Sequence, residues 1–400
     1  MRVSIVTPTT ASMSRLRKAH LDFLLVLKWL GVALTIAVAA SSIYSASKWS
    51  ERRGVFDDIG YLRQAHLFQR FGLDGIDTDF ARDDDNYFKD AATAIRPIEP
   101  NDPGRPFAHT YMPATGKLVI QYPPGTGALL ALFPEGHQVA GLYTSSCLVV
   151  LLLAILLITR SQSWIQAIAC SLLGAASVLF FVSPLKSSYS AAPSVALCAV
   201  LGFLTPALFD DRISRVRRLA LFAAAGAMLG GLVDLRIANV LLSGGYAVVL
   251  LVLLLARRTG GLIASCGTMA VAFMIGISPT LMANWVNAGS PFRTTYGTAD
   301  TQPPELTWGP LTYYMNDVQG FLLVIALVGS VAVFVKSSRR EGSIAAAVAF
   351  LTAAISAIFF FTHTLVTPYY LMPAAMLSLW IVVRLFADQS HHRIERGCAN

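Results

Sequence analysis

The sequence predicts an all-α protein that crosses a membrane about ten times, with one long polar loop after the first crossing. Of its 400 residues, 55% are hydrophobic and only 14% are charged. A soluble chain carries nearer a quarter charged residues. Mean hydropathy is +0.58, and apolar runs of about 18 residues or more recur along the chain, the length a helix needs to span hydrocarbon. The placement of Lys and Arg then sets the topology.

The first run, 21–46, follows Arg15, Arg17, Lys18 and His20. Its length suits an uncleaved anchor better than a signal peptide. Further spans are expected at 138–159, 164–182, 189–209, 218–233, 237–256, 261–282, 319–335, 343–362 and 366–387. Basic residues fall on alternate short connections: Arg160, Arg212 to Arg218, Arg257/Arg258, Lys336 to Arg340, and Arg393/Arg396. Such loops mark the cytoplasmic side, so both termini are expected inside. The outer side then holds the loop 47–137, a second loop at 283–318, and short turns near Lys186, Arg236 and His363. The whole of 1–400 reads as one transmembrane bundle carrying these two loops.

Cytoplasmic loops account for the net charge of +8. No basic patch with interleaved aromatics points to nucleic acid. Four of the five cysteines (Cys147, Cys170, Cys198, Cys266) fall in apolar runs, and none has metal-ligand spacing. No cofactor is expected, and a divalent metal is not indicated.

Within the long loop, 57–72 reads as a helix lying on the membrane. Tyr61, Leu62, Ala65 and Phe68 make one face, and Arg63, His66 and Arg70 another. Residues 74–117 show no period and read as surface loop with short helices at most. Residues 122–136, entered through Pro123-Pro124 and left through Pro134 and Gly136, read as a half-inserted helix.

The polar residues on the outer side are the candidates for chemistry. Asp57 and Asp58 open the helix of the long loop. Acids there cap free N–H groups and suit the helix dipole. One of them facing a membrane-level cleft would equally serve as a general base. Asp83, Asp84 and Asp85 suit a solvated turn better than a cation cage, since three consecutive acids cannot all face one ion. Lys186, Arg236 and Arg293 lie at outer helix ends. Arg236 either pairs with Asp234 or captures an anionic headgroup such as a phosphate. Tyr122, His363, Tyr369 and Tyr370 share that side, where tyrosines are commonly interfacial anchors.

Several segments, in order, resemble the polytopic GT-C glycosyltransferases, especially the bacterial branch similar to protein mannosyltransferases and aminoarabinose transferases. They are Asp57-Asp58-Ile-Gly-Tyr61 after the first span, Gln121-Tyr-Pro-Pro-Gly125, Gly231-Leu-Val-Asp-Leu-Arg236, the stretch from Asn284 to Gly297, and Thr367-Pro-Tyr-Tyr-Leu-Met-Pro373. The resemblance implies a GT-C-like fold in the bacterial plasma membrane and an active site on the outer face. It implies a polyprenyl-phosphate-sugar donor drawn from the membrane lipid, and an acceptor hydroxyl or amine on a lipid, glycan or protein. It makes Asp57 or Asp58 the base of an inverting displacement. Tyr122, Lys186, Arg236, Arg293, His363, Tyr369 and Tyr370 become candidate substrate contacts. One departure stands out: Tyr369 occupies the place of the family's late Arg, so the donor phosphate falls to Arg236, Arg293 or Lys186. A transporter of lipid-linked substrates is the alternative class. It would call for ionisable residues near mid-bilayer, and the polar residues here cluster at one surface. An inactive scaffold of the same fold is the third reading.

Overall fold

The computed structural model describes residues 10–49, 51, 56–94, 106, 108–181, 188–296, 303–363, 365–367 and 369–389. Helix α1 (Thr10–Ser47) leads into the polar segment, which holds α2 (Phe56–Phe71), α3 (Tyr87–Ala94), the strands β1 (His109–Met112) and β2 (Lys117–Ile120), and α4 (Gly125–Leu130). The remainder is helical: α5 (Gln138–Arg160), α6 (Trp164–Ala176), α7 (Ala191–Leu208), α8 (Arg215–Leu235), α9 (Val240–Arg257), α10 (Gly260–Ala288), α11 (Trp308–Met315), α12 (Val318–Lys336), α13 (Arg340–Thr362) and α14 (Met372–Gln389).

Among the described residues, α1, α5, α7, α8, α9, α10, α12 and α13 are long and apolar enough to cross a membrane. The chain is a multi-pass helical membrane protein. Ten spans were expected and eight helices meet the requirement. The expected span at 164–182 yields α6, whose last turn widens into a π-helical stretch at Ser177–Phe181. The expected span at 366–387 begins later, at Met372, and its apolar run is cut by the Arg384–Asp388 pair at 2.5 Å.

The bundle core lies along α7 and α14, where Leu371 to Ile381 are buried throughout. Exposed Val271, Ile275, Met282 and Trp285 on α10, with Leu25, Val26, Trp29 and Leu30 on α1, give the apolar outer surface that lipid requires. Between α8 and α10 the backbones nearly touch. A Cβ on Gly226 would stand 2.2 Å from the Met269 carbonyl oxygen, and one on Gly230 2.3 Å from that of Phe273. This is small-residue packing at a spacing of four, which lets helices associate where lipid removes any hydrophobic gain.

Helix α2 forms within one residue of its expected start, but its polar face is not free. Arg63 is fully buried, as are Asp58, Tyr61, Leu62, Gln64, Ala65 and Leu67. The Arg63 guanidinium is consumed locally. Its Nε meets Asp84 at 2.7 Å, Nη1 donates to the Thr78 carbonyl at 3.1 Å and lies 3.0 Å from His109 Nε2, and Nη2 donates to the Asp79 carbonyl at 3.1 Å. Thr78, Asp79, Asp84 and His109, all within the stretch expected to be loop, therefore pack against α2 and cover Arg63. Asp83 and Asp85 both pair with Arg70, so all three consecutive acids turn towards arginines.

The hairpin β1–β2 was not expected. It pairs antiparallel, with His109 opposite Ile120 and Met112 opposite Lys117, around a four-residue turn closed by Gly116 at φ +69°. Residues expected as a half-inserted helix at 122–136 give only the short, buried α4.

Candidate functional site

The first turn of α2 presents both acids, and the two have different surroundings. Asp58 is 2% exposed, and its Oδ1 accepts the backbone N–H of Tyr189 at 2.9 Å, just before α7. Asp57 is half-buried, and its Oδ1 accepts the Tyr122 hydroxyl at 2.7 Å. Among the described residues no other hydrogen bond reaches Asp57. One turn along α2, Tyr61 lies 5.0 Å from the Tyr122 ring, and Tyr296, just past α10, meets that ring edge-on at 6.0 Å.

Tyr122 reaches this place because the segment carrying it docks on the end of α8. Thr126 donates to the Leu235 carbonyl at 3.0 Å. A Cβ on Gly125 would stand 2.7 Å from both the carbonyl and Oδ2 of Asp234, so only glycine allows so close an approach. Asp234 in turn accepts from Thr280 on α10 at 2.8 Å.

The backbone at Arg236 is extended (φ −162°, ψ 125°) and breaks α8 from the single 3₁₀ turn at Ile237–Asn239 that opens α9. That break turns the Arg236 side chain inward, where the residue is 8% exposed. The Asp234 carboxylate accepts from Thr280 and makes no ion pair with Arg236. The guanidinium lies on two aromatic faces instead, 4.1 Å from the Tyr370 ring centroid and 4.7 Å from that of Tyr369. Cation–π contact holds a charge without cancelling it. Among the described residues no carboxylate comes within 4.0 Å of it.

Arg236 and Asp57 share a surround. The charges of both act on Tyr61 and on Tyr369. Burial, with the Asp57 carboxylate adding to it, raises the Tyr122 hydroxyl well above the usual phenol range. Tyr61 is raised in the same way by burial, Tyr296 and Asp57. Both phenols thus stay protonated and act as donors at any physiological pH.

Asp57, Asp58, Tyr122, Arg236, Tyr369 and Tyr370 are therefore brought together from four separate parts of the chain. Arg293 is not among them. Its side chain is exposed, and among the described residues only its backbone N–H is engaged, with the Ser290 carbonyl. His363 serves its own helix: Nδ1 lies 2.7 Å from the Phe359 carbonyl, and the ring stacks on Phe359 at 4.0 Å. Lys186 lies outside the described residues. The sequence reading missed Tyr61 and Tyr296 as site residues. Tyr61 falls one helical turn after Asp57, a spacing that puts both on one face. Tyr296 lies in the segment from Asn284 to Gly297 that carries part of the resemblance.

That segment acts as scaffold. The Asn287 side-chain oxygen accepts from the Thr78 N–H at 3.0 Å, while its amide donates to the Ile76 and Ala283 carbonyls. Asn284 donates to the Pro291 carbonyl at 3.1 Å, closing the end of α10. No family model matches this chain, and no curated protein matches it.

Proposed function

We propose that the protein is a GT-C-like glycosyltransferase of the bacterial plasma membrane. In this reading it moves a sugar from a polyprenyl-phosphate donor to an acceptor hydroxyl or amine at the outer face, in a ten-span topology with both termini inside. The observation that carries the reading is the meeting of two groups in one tyrosine-lined site: the half-buried carboxylate of Asp57, one oxygen of which has no partner among the described residues, and the buried guanidinium of Arg236, which has no carboxylate partner among them. The acceptor oxygen attacks the anomeric carbon as the bond from that carbon to the phosphate oxygen breaks. Asp57 takes the acceptor's proton. Arg236 holds the charge that grows on the departing polyprenyl phosphate. One displacement inverts the anomeric centre. Asp58, committed to the Tyr189 N–H, braces α2. A lipid-linked donor enters sideways from the bilayer, which suits a chain whose polar chemistry sits against spanning helices.

The test is transfer of a labelled sugar from polyprenyl phosphate in proteoliposomes. Asp57→Asn is expected to lower the rate by about 10²–10⁴-fold, and Arg236→Gln by about 10²–10³-fold. Arg293→Gln is expected to leave it near wild type. Wild-type turnover by Asp57→Asn would sink the mechanism, and flux of the lipid-linked sugar without any product would sink the reading.

A further inference from the structure

We infer that Thr110, Gln121 and Tyr122 form a directional hydrogen-bond relay whose task is to aim the Asp57 carboxylate, making Tyr122 a positioning residue and not a substrate contact. The relay runs one way. The Thr110 hydroxyl donates to Gln121 Oε1 at 3.1 Å, Gln121 Nε2 donates to the Tyr122 hydroxyl at 2.8 Å, and that hydroxyl donates to Asp57 Oδ1 at 2.7 Å. Each donor polarises the next, so the last bond, to a carboxylate, gains strength from those behind it. Asp57 Oδ1 is thereby fixed, and Oδ2 is left for an incoming proton.

Every member is itself held. Thr110 lies in β1. The Gln121 N–H donates to the Ala108 carbonyl at 3.0 Å, and the Gln121 carbonyl accepts from Thr295 at 2.9 Å. The Tyr122 ring is confined between Tyr61 and Tyr296, and Gly60 makes room for it: a Cβ there would stand 3.1 Å from the ring. The groups facing Asp57 are Asp58 and Tyr61 on its own helix, Tyr122 before α4, Tyr296 after α10, Arg236 at the end of α8 and Tyr369 before α14. Of these only Tyr122 hydrogen-bonds to it. The unexpected hairpin thereby gains a purpose, since it carries the relay from its root to the acid.

The role of the aimed carboxylate as a base rests on the transferase reading, but the relay is testable without turnover. The probe is an infrared pH titration of the carboxyl band that Asp57→Asn removes. Loss of a hydrogen bond to the charged form raises the midpoint, so Tyr122→Phe is expected to move it up by about one to two pH units. Gln121→Leu, which leaves Tyr122 in place, is expected to move it less and in the same direction. In transfer assays the acid limb of the pH–rate profile would shift in step, with the donor KM unchanged. An unmoved midpoint in both variants overturns the relay, and so does a raised donor KM with an unmoved acid limb. Absence of transfer by the wild type would count against the transferase reading, while the infrared midpoint would still decide the relay.

Discussion

The contact between α8 and α10 and the fold of residues 56–130 are built on opposite rules. The two helices meet chiefly through bare glycine backbone, with the Thr280–Asp234 hydrogen bond towards one end. The polar segment is tied by side chains, above all by the buried Arg63 and by the Asn287 clamp reaching across from α10. Lipid explains the difference. Inside it, helices already satisfy their own backbone and need only close contact. Irregular backbone outside a helix must find a partner for each buried polar group, and charged side chains meet that demand several at a time.

The polar segment is most vulnerable at Arg63. Arg63→Met strips four acceptors of their partner and leaves Asp84 without its cation. A loss of about 3–5 kcal/mol is expected, read as cleavage of 56–130 by limited proteolysis while the spanning helices stay intact. A protease-resistant Arg63→Met protein would show that the segment does not depend on its polar knot. Next is Gly230→Ala, whose added methyl must push α8 from α10. About 1–3 kcal/mol is expected, read as a lower thermal midpoint in detergent with the protease pattern of 56–130 unchanged.

The smallest effect is expected at Asp85. Its hydrogen bond from Arg70 holds the carboxyl below the usual range, but it is 69% exposed. A depressed carboxyl contributes stability above its unfolded value of about 4 and loses that contribution as pH falls through its folded value. Asp85→Asn should therefore lower the midpoint only slightly at pH 7, because the pair is exposed, and make the acid-side decline shallower by the same small amount. A drop at pH 7 as large as that of Arg63→Met would mean that exposed pairs, and not the Arg63 knot alone, hold the segment.

The same division explains what could be read from the sequence. Spanning helices announce themselves because each satisfies its own backbone, so composition and length suffice. α14 begins only at Met372, after Tyr369 and Tyr370, whose rings lie against Arg236 in a contact that hydropathy does not register. α2 was legible as a helix but not as a buried one. Its cover comes from Asp84, Thr78, Asp79 and His109, whose contacts are non-local and leave no period. The hairpin was hidden because each strand is only four residues long. In the site, Asp57, Asp58 and Arg236 stood out as charges among apolar neighbours. The pairing of Asp57 with Tyr122 did not, since nothing in a sequence fixes which of several tyrosines reaches an acid. Arg293 and His363 were plausible by position alone, and the fold turns one to the outside and the other back onto its own helix.

The partners of Arg63 all lie between residues 78 and 109, and this bears on the order in which the chain is made. At the usual 5–20 residues per second, roughly 15–60 s separate the synthesis of Asp57 from that of Tyr370. During that interval Arg236, Tyr296 and the Tyr369–Tyr370 pair have yet to arrive, and α2 waits beside an unfinished bundle. A knot closed entirely by early residues lets the segment hold its shape through that wait. The acids are thus presented on a formed helix when the last membrane crossings come to meet them.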